Sequence, residues 1–180
     1  MAKKKSLVDY PVGIASSEKI SMALANHIIP ITCSTISVRR NAFYRSGGFD
    51  QNLLRQQDRD FLLSLCMAYD YFYLSNDHSV LKYQYSDSIS RNSLNYFGPL
   101  FYLLKKHKNT FVKVRIEIRL YLLARGLLQS LKNLNFRDLF FALKALRESK
   151  GFSSNIFKVL ISYSKGKRLR KLLSKSFVGS

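Results

Sequence analysis

Apolar positions fall into two regimes along the chain. Short, punctuated runs extend to Tyr85, and leucine- and phenylalanine-rich stretches at helical spacing follow. In the first regime, residues 1–15 read as a loosely structured lead-in punctuated by Pro11 and Gly13. Residues 17–29 predict a helix: Ser17 suits the cap, Glu18 the first turn, and Ile20, Leu24 and Ile28 share one face, with Pro30 as the stop. The run ITCSTISV (31–38) is rich in β-branched residues and predicts a buried strand. A short helical turn over 41–45 ends at Gly47-Gly48, where positive φ costs little. A loop from Phe49 to Gln57 then leads into a helix over 58–69. Residues 71–74 and 80–85 are strand candidates separated by the turn SNDHS.

After Ser86 the pattern turns helical. Residues 94–106 are aromatic and aliphatic. Over 112–122 the run VKVRIEIRLYL alternates with period 2, as a strand would. Its Arg, Leu and Glu content and its continuation as LLARGLLQSL favour a helix. Residues 136–147 predict an amphipathic helix, with Phe136, Leu139, Phe140, Leu143 and Leu146 at helical spacing. A short apolar run (156–163) and a basic tail (165–175) close the chain.

Composition narrows the class. Hydrophobic residues make up 47% of the 180, enough for one domain, or a domain with an appendage, to bury a core rather than remain a disordered polyelectrolyte. No apolar stretch reaches the ~20 uncharged residues of a membrane span. The start MAKKKSLVDYP is basic but has no apolar segment behind it, so it does not read as a secretory signal. Cys33 and Cys66 are too few for a disulfide framework or a structural zinc site. Both lie in apolar runs and read as buried free thiols in a reducing cytoplasm. The net charge of +19 is lopsided: residues 1–97 carry 11 Lys+Arg against 8 Asp+Glu, and residues 98–180 carry 19 against 3.

The chemistry candidates lie in the near-neutral part. Asp58 and Asp60 open the helix after the loop. The simplest reading of Asp58 is an N-cap at the positive end of the helix dipole; the functional one is a carboxylate held as a general base. Asp58-Arg59-Asp60 also spells Asp-X-Asp, but residues i and i+2 of a helix point about 200° apart, which argues against joint metal binding. Gly47-Gly48-Phe49-Asp50 reads as a turn with an anchoring aromatic and an exposed acid. His27, His78 and His107 lack ligand spacing and read as satisfied or exposed side chains. Ser88 and Ser90 form either a hydroxyl-rich rim or a solvated loop. The basic runs KKHK (105–108) and KGKRLRK (165–171) suit a solvated face, an anionic membrane surface or, less well, nucleic acid.

From about Ala23 to Asn92 the order of these pieces resembles the family 2 glycosyltransferases, the inverting group with the GT-A fold. The pieces are Arg39-Arg40, Phe43, Gly47-Gly48-Phe49-Asp50, Gln57-Asp58-Arg59-Asp60-Phe61-Leu62, Tyr83 and Ser88-Ile89-Ser90. The family's usual Glu before the base is Gln57 here, and Phe61 and Ser64 stand where Trp and Arg are common. The downstream NLNFRDLFFALKAL is similar to the helical tail many such enzymes carry. The resemblance implies an α/β fold: residues 1–92 as the acceptor-side, C-terminal part of a GT-A-like domain with few strands, and residues 93–180 as a basic α-helical tail region. It implies Asp58 as the catalytic base, with Gly47, Gly48, Phe49, Asp50 and Gln57 on the substrate side and no metal ligand among them.

Such enzymes hold a nucleotide sugar and a divalent cation (Mg or Mn) in a preceding parallel αβ half that ends in Asp-X-Asp. Here no cofactor site is expected within the chain, which reads as a truncated frame, a decayed copy or one half of a split enzyme whose donor half lies on a separate chain. The implied activity is sugar transfer to a cell-envelope glycan or lipid-linked acceptor, such as polysaccharide or lipopolysaccharide. The implied place is cytoplasmic, peripheral to the inner face of the cell membrane, with the basic tail on anionic lipid. The competing reading is a non-catalytic basic helical module for anionic membrane or nucleic acid. Without the parallel half, residues 31–38 would expose an apolar edge and invite pairing with another chain.

Overall fold

The computed structural model describes residues 12–29, 31–75, 97–132, 134, 136, 140 and 156–178. The described part is mostly helical, with one small two-stranded antiparallel sheet. Strand β1 (Gly13–Ser16) pairs with β2 (Tyr71–Leu74) in the register Gly13↔Leu74 to Ser16↔Tyr71. Pro11 and Gly13 had marked this region as a lead-in. It becomes a strand because β2 supplies a partner and Ala15 is buried beneath.

Helix α1 (Ser17–Ala25) is capped one residue earlier than expected: the Ser16 hydroxyl accepts from the Lys19 N–H. The helix also ends before Pro30. His27 takes the left-handed conformation at φ 54°, its N–H bonds the Leu24 carbonyl, and the Ile28 N–H bonds that of Ala23. That 5→2 and 6→1 pair is a Schellman stop, and the side chain of Asn26 returns to the Met22 carbonyl at 2.6 Å.

Residues 31–38 do not form the buried strand their β-branched content suggests. Cys33–Thr35 is a 3-10 turn, and Cys33, Ser34, Thr35, Ser37 and Val38 are exposed. The reason is the hydroxyls. Thr35 Oγ1 donates to the Thr32 carbonyl at 2.7 Å and accepts from the Thr32 N–H, and the Thr32 and Ser34 hydroxyls meet at 3.0 Å. Local side-chain bonds replace the ladder a strand would need. Cys33 is therefore an exposed thiol, contrary to expectation, and Cys66 is the shielded one.

Helix α2 (Arg40–Arg45) ends in a second Schellman stop at Gly47 and Gly48, with φ of 85° and 66°. Helix α3 (Gln57–Ala68) follows the loop and leads directly into β2. The helical half opens with α4 (Phe97–Lys106) and α5 (Lys108–Lys113). The period-2 stretch is helical but broken: Val114, buried and extended at ψ 136°, separates α5 from α6 (Ile116–Lys132). The last helix, α7 (Ile156–Val178), unites the apolar run and the basic tail.

The amphipathic logic of α7 is plain in its packing. Tyr163, Gly166, Leu169, Leu173 and Phe177 face the body of the protein, whereas Lys165, Lys167, Arg168, Lys171 and Lys175 are exposed. At Gly166 a Cβ would fall inside contact distance of the Glu117 carbonyl and Tyr121 Cβ, so a missing side chain lets α7 close onto α6. One core joins both halves: Leu24 of α1, Leu63 of α3, Leu103 of α4, Phe111 of α5 and Leu122 of α6 all belong to it. The proposed boundary at residue 92 thus does not separate two cores among the described residues. Residues 80–85, Tyr83, Ser88, Ser90 and His78 lie outside the described residues, as does all of 136–147 except Phe136 and Phe140. Among the described residues, no helix is long and apolar enough to cross a membrane.

Candidate active site

The Gly-Gly-Phe-Asp loop is built around an aromatic knot. Phe43 of α2, Phe49 of the loop and Phe61 of α3 pack with ring centroids 4.9 to 5.7 Å apart. Gly48 lies against the Phe43 ring, where a Cβ would stand 2.9 Å from Cζ. Gly47 meets no such wall, so its requirement is conformational only. Phe49 is thus foremost a packing residue, though 37% of it remains exposed.

Asp50 and Asp60 are drawn into one polar clasp. Lys106 Nζ, at the end of α4, donates to Asp50 Oδ2 at 3.0 Å and to Asp60 Oδ2 at 2.8 Å. Tyr102, one turn earlier, donates its hydroxyl to Asp50 at 2.9 Å. His107 Nε2 meets the other Asp60 oxygen at 2.8 Å, and both side chains are almost fully buried. An ionised carboxylate only accepts, so Nε2 carries the proton in that bond.

The electrostatics follow from these contacts. Burial would raise the Asp60 carboxyl, but the hydrogen bonds and charge of His107 and Lys106 outweigh it, and its pKa falls below 3.8. Burial likewise works against Lys106, and its two carboxylate partners carry its pKa above 10.5. The Lys106 and Tyr102 bonds, with the Asn52 N–H, bring Asp50 down to about 2. The Tyr102 hydroxyl, bonded to that carboxylate, is raised.

Asp58 is elsewhere in chemistry, though only two residues away. It is the second residue of α3 rather than its N-cap. That position belongs to Gln56, left-handed at φ 64° and without a side-chain capping bond. Asp58 is half-buried, and one of its oxygens accepts the Arg59 N–H at 2.8 Å. It lies near the Cys33 thiol: burial first, and then the Asp58 charge, raise the pKa of that thiol. Its other neighbour in sequence, Gln57, reaches back to the Asp50 carbonyl at 3.5 Å. Arg59 donates to the Leu24 carbonyl and so pins the first turn of α3 to the end of α1.

The structure therefore brings Phe49 against Phe61 and Gln57 back to Asp50 at the start of α3, with Gly48 against Phe43 behind them, and the Asp58 charge acts on the Cys33 thiol. The Asp58-X-Asp60 pair does not fit a divalent cation. Both Asp60 oxygens are already engaged by Lys106 and His107, and that carboxylate is buried. Tyr102 and Lys106 were missed in the sequence, where KKHK read as a charge run, whereas His107 is the satisfied histidine expected, its partner being Asp60. The available signal was the i, i+4 spacing of Tyr102 and Lys106, which places both on one helix face. Comparison of the chain with protein-family models, with curated proteins and with solved structures returns no match.

Proposed function

We propose that this chain is the acceptor side of an inverting glycosyltransferase of GT-A type, with Asp58 as the general base. One observation supports the reading most: the Gly-Gly-Phe-Asp loop and the first turn of α3 are clamped together from two sides. The aromatic knot holds one side and the Asp50–Lys106–Asp60 clasp the other. A half-buried carboxylate on such a rigid support is suited to taking a proton from a bound hydroxyl. In the reaction, an acceptor hydroxyl loses its proton to an Asp58 oxygen as it attacks the anomeric carbon. The bond to the nucleoside diphosphate breaks on the opposite face, and configuration inverts.

The nucleotide sugar and its divalent cation belong, in this reading, to a donor-binding half supplied alongside. The acceptor is a cell-envelope glycan or a lipid-linked sugar. The exposed cations of α7 (Lys165, Lys167, Arg168, Lys171, Lys175) favour a place at the inner membrane surface, where each contributes to attraction by anionic lipid. The test is genetic complementation with glycan analysis. Cells lacking the gene lose one sugar from an envelope glycan, the wild-type chain restores it, and Asp58→Asn at equal abundance does not. Restoration by Asp58→Asn, or an unaltered glycan in the deletion, refutes the proposal.

A further inference from the structure

A cavity of about 400 Å³ opens between α1, the α5–α6 junction and the end of α7, away from the clasp. Met22, Ile28, Leu173 and Phe177 make its apolar wall, and Lys19 and Arg115 are its charged lining residues. None of the described lining residues is acidic. The Lys19 ammonium stands 5.4 Å from the centre of the Phe177 ring, a cation held over an apolar floor. Arg115 is 62% exposed and shares its charge with Glu117 at 3.3 Å, so it is anchored at the rim yet solvent-facing. The two neutral polar side chains of the lining are already engaged: the Asn26 amide bonds the Met22 carbonyl and the Ser176 hydroxyl donates to that of Leu173 at 2.9 Å.

These features select a ligand class. The volume lies within the range of small-molecule sites, about 300–1,000 Å³. A sugar or nucleotide ring needs several convergent donors and acceptors, which this wall does not offer. A small inorganic anion would find cations but leave the apolar wall unfilled. A neutral hydrocarbon would fill the wall and make no use of the cations. We propose that this cavity binds a single-chain anionic amphiphile, its tail against Met22, Ile28, Leu173 and Phe177 and its carboxylate or phosphate head between Lys19 and Arg115. The site is independent of the sugar-transfer reading, and either stands if the other fails.

The test is isothermal titration calorimetry on the whole chain, with octanoate, decanoate and laurate below their micelle concentrations. Dodecyl phosphate replaces the carboxylate head in a second arm, and dodecyltrimethylammonium reverses the charge. One saturable site is expected, tightening roughly tenfold for each two methylenes that fit. Laurate and dodecyl phosphate should both bind, and the ammonium amphiphile at least about tenfold more weakly. Leu173→Trp, which fills the cavity, should abolish binding. Lys19→Glu, an exposed position that leaves the fold intact, should weaken laurate about tenfold. Equal affinity for the cationic amphiphile, no dependence on tail length, or unchanged binding in Lys19→Glu overturns the proposal. So does laurate binding that appears only in the presence of vesicles.

Discussion

Replacing Asp60 by Asn isolates the clasp, because size is kept and charge is lost. In the native chain two donors share this carboxylate at 2.8 Å each, one of them from a nearly fully buried histidine. A hydrogen bond to a charged group contributes about 1.5–3 kcal/mol. The variant keeps at best one neutral acceptor, and its amide NH2 faces a donor. Lys106 is 35% exposed and retains Asp50, so its share must be discounted for solvent. The expected loss is about 2–3 kcal/mol, a large part of the roughly 5–15 kcal/mol that holds a domain together.

Urea unfolding at pH 7, followed by circular dichroism, reads this as a lower midpoint at unchanged slope. The sign with pH follows from the depressed Asp60 pKa. Its contribution is present above the ordinary carboxylate value of 3.8 and disappears as pH falls through the lower folded-state value. The wild type should therefore lose its advantage over Asp60→Asn on going from pH 5 into that acid range. A difference below about 0.5 kcal/mol at pH 7, or an advantage that survives acid, would refute the assignment of the clasp.

At Gly166 two effects oppose. Alanine gains about 1 kcal/mol of helix propensity, but its Cβ would overlap the Glu117 carbonyl, and such overpacking costs about 1–3 kcal/mol. Gly166→Ala should thus lower the urea midpoint, and a raised midpoint would show that α7 does not close on α6 as described. The two thiols should separate cleanly: iodoacetamide at pH 8 labels exposed Cys33, while Cys66, which burial pushes up to about 12, stays unmodified in the folded chain. Mass spectrometry of the native protein showing two adducts contradicts this. Because the Asp58 charge helps raise the Cys33 pKa, Asp58→Asn should speed Cys33 alkylation near neutral pH, and an unchanged rate would place the carboxylate away from the thiol.

The parts of the fold that were legible in the sequence are those set by local rules. Gly47 and Gly48 announced a left-handed helix stop, and the helix expected over 58–69 and the strand candidate over 71–74 correspond to α3 and β2. What was not legible depended on partners. β1 exists because β2, distant in sequence, pairs with it. The run 31–38 misled because β-branched content was weighed without its hydroxyls, which make their own turn. For the site, Asp58 stood out as the acid at a helix start. Asp60, the more deeply buried of the two, is recognisable only once Lys106 and His107, 46 and 47 residues away, close on it.

The most direct test of the proposed role of Asp58 is the initial rate of sugar transfer when this chain is supplied with a donor-binding half, as the proposal requires, for wild type and Asp58→Asn at matched folded fractions. Loss of a general base predicts a fall of about 10²–10⁴-fold in kcat with a smaller change in acceptor KM. A rate within about threefold of wild type, against that expected range, would contradict the assignment of Asp58 as the base.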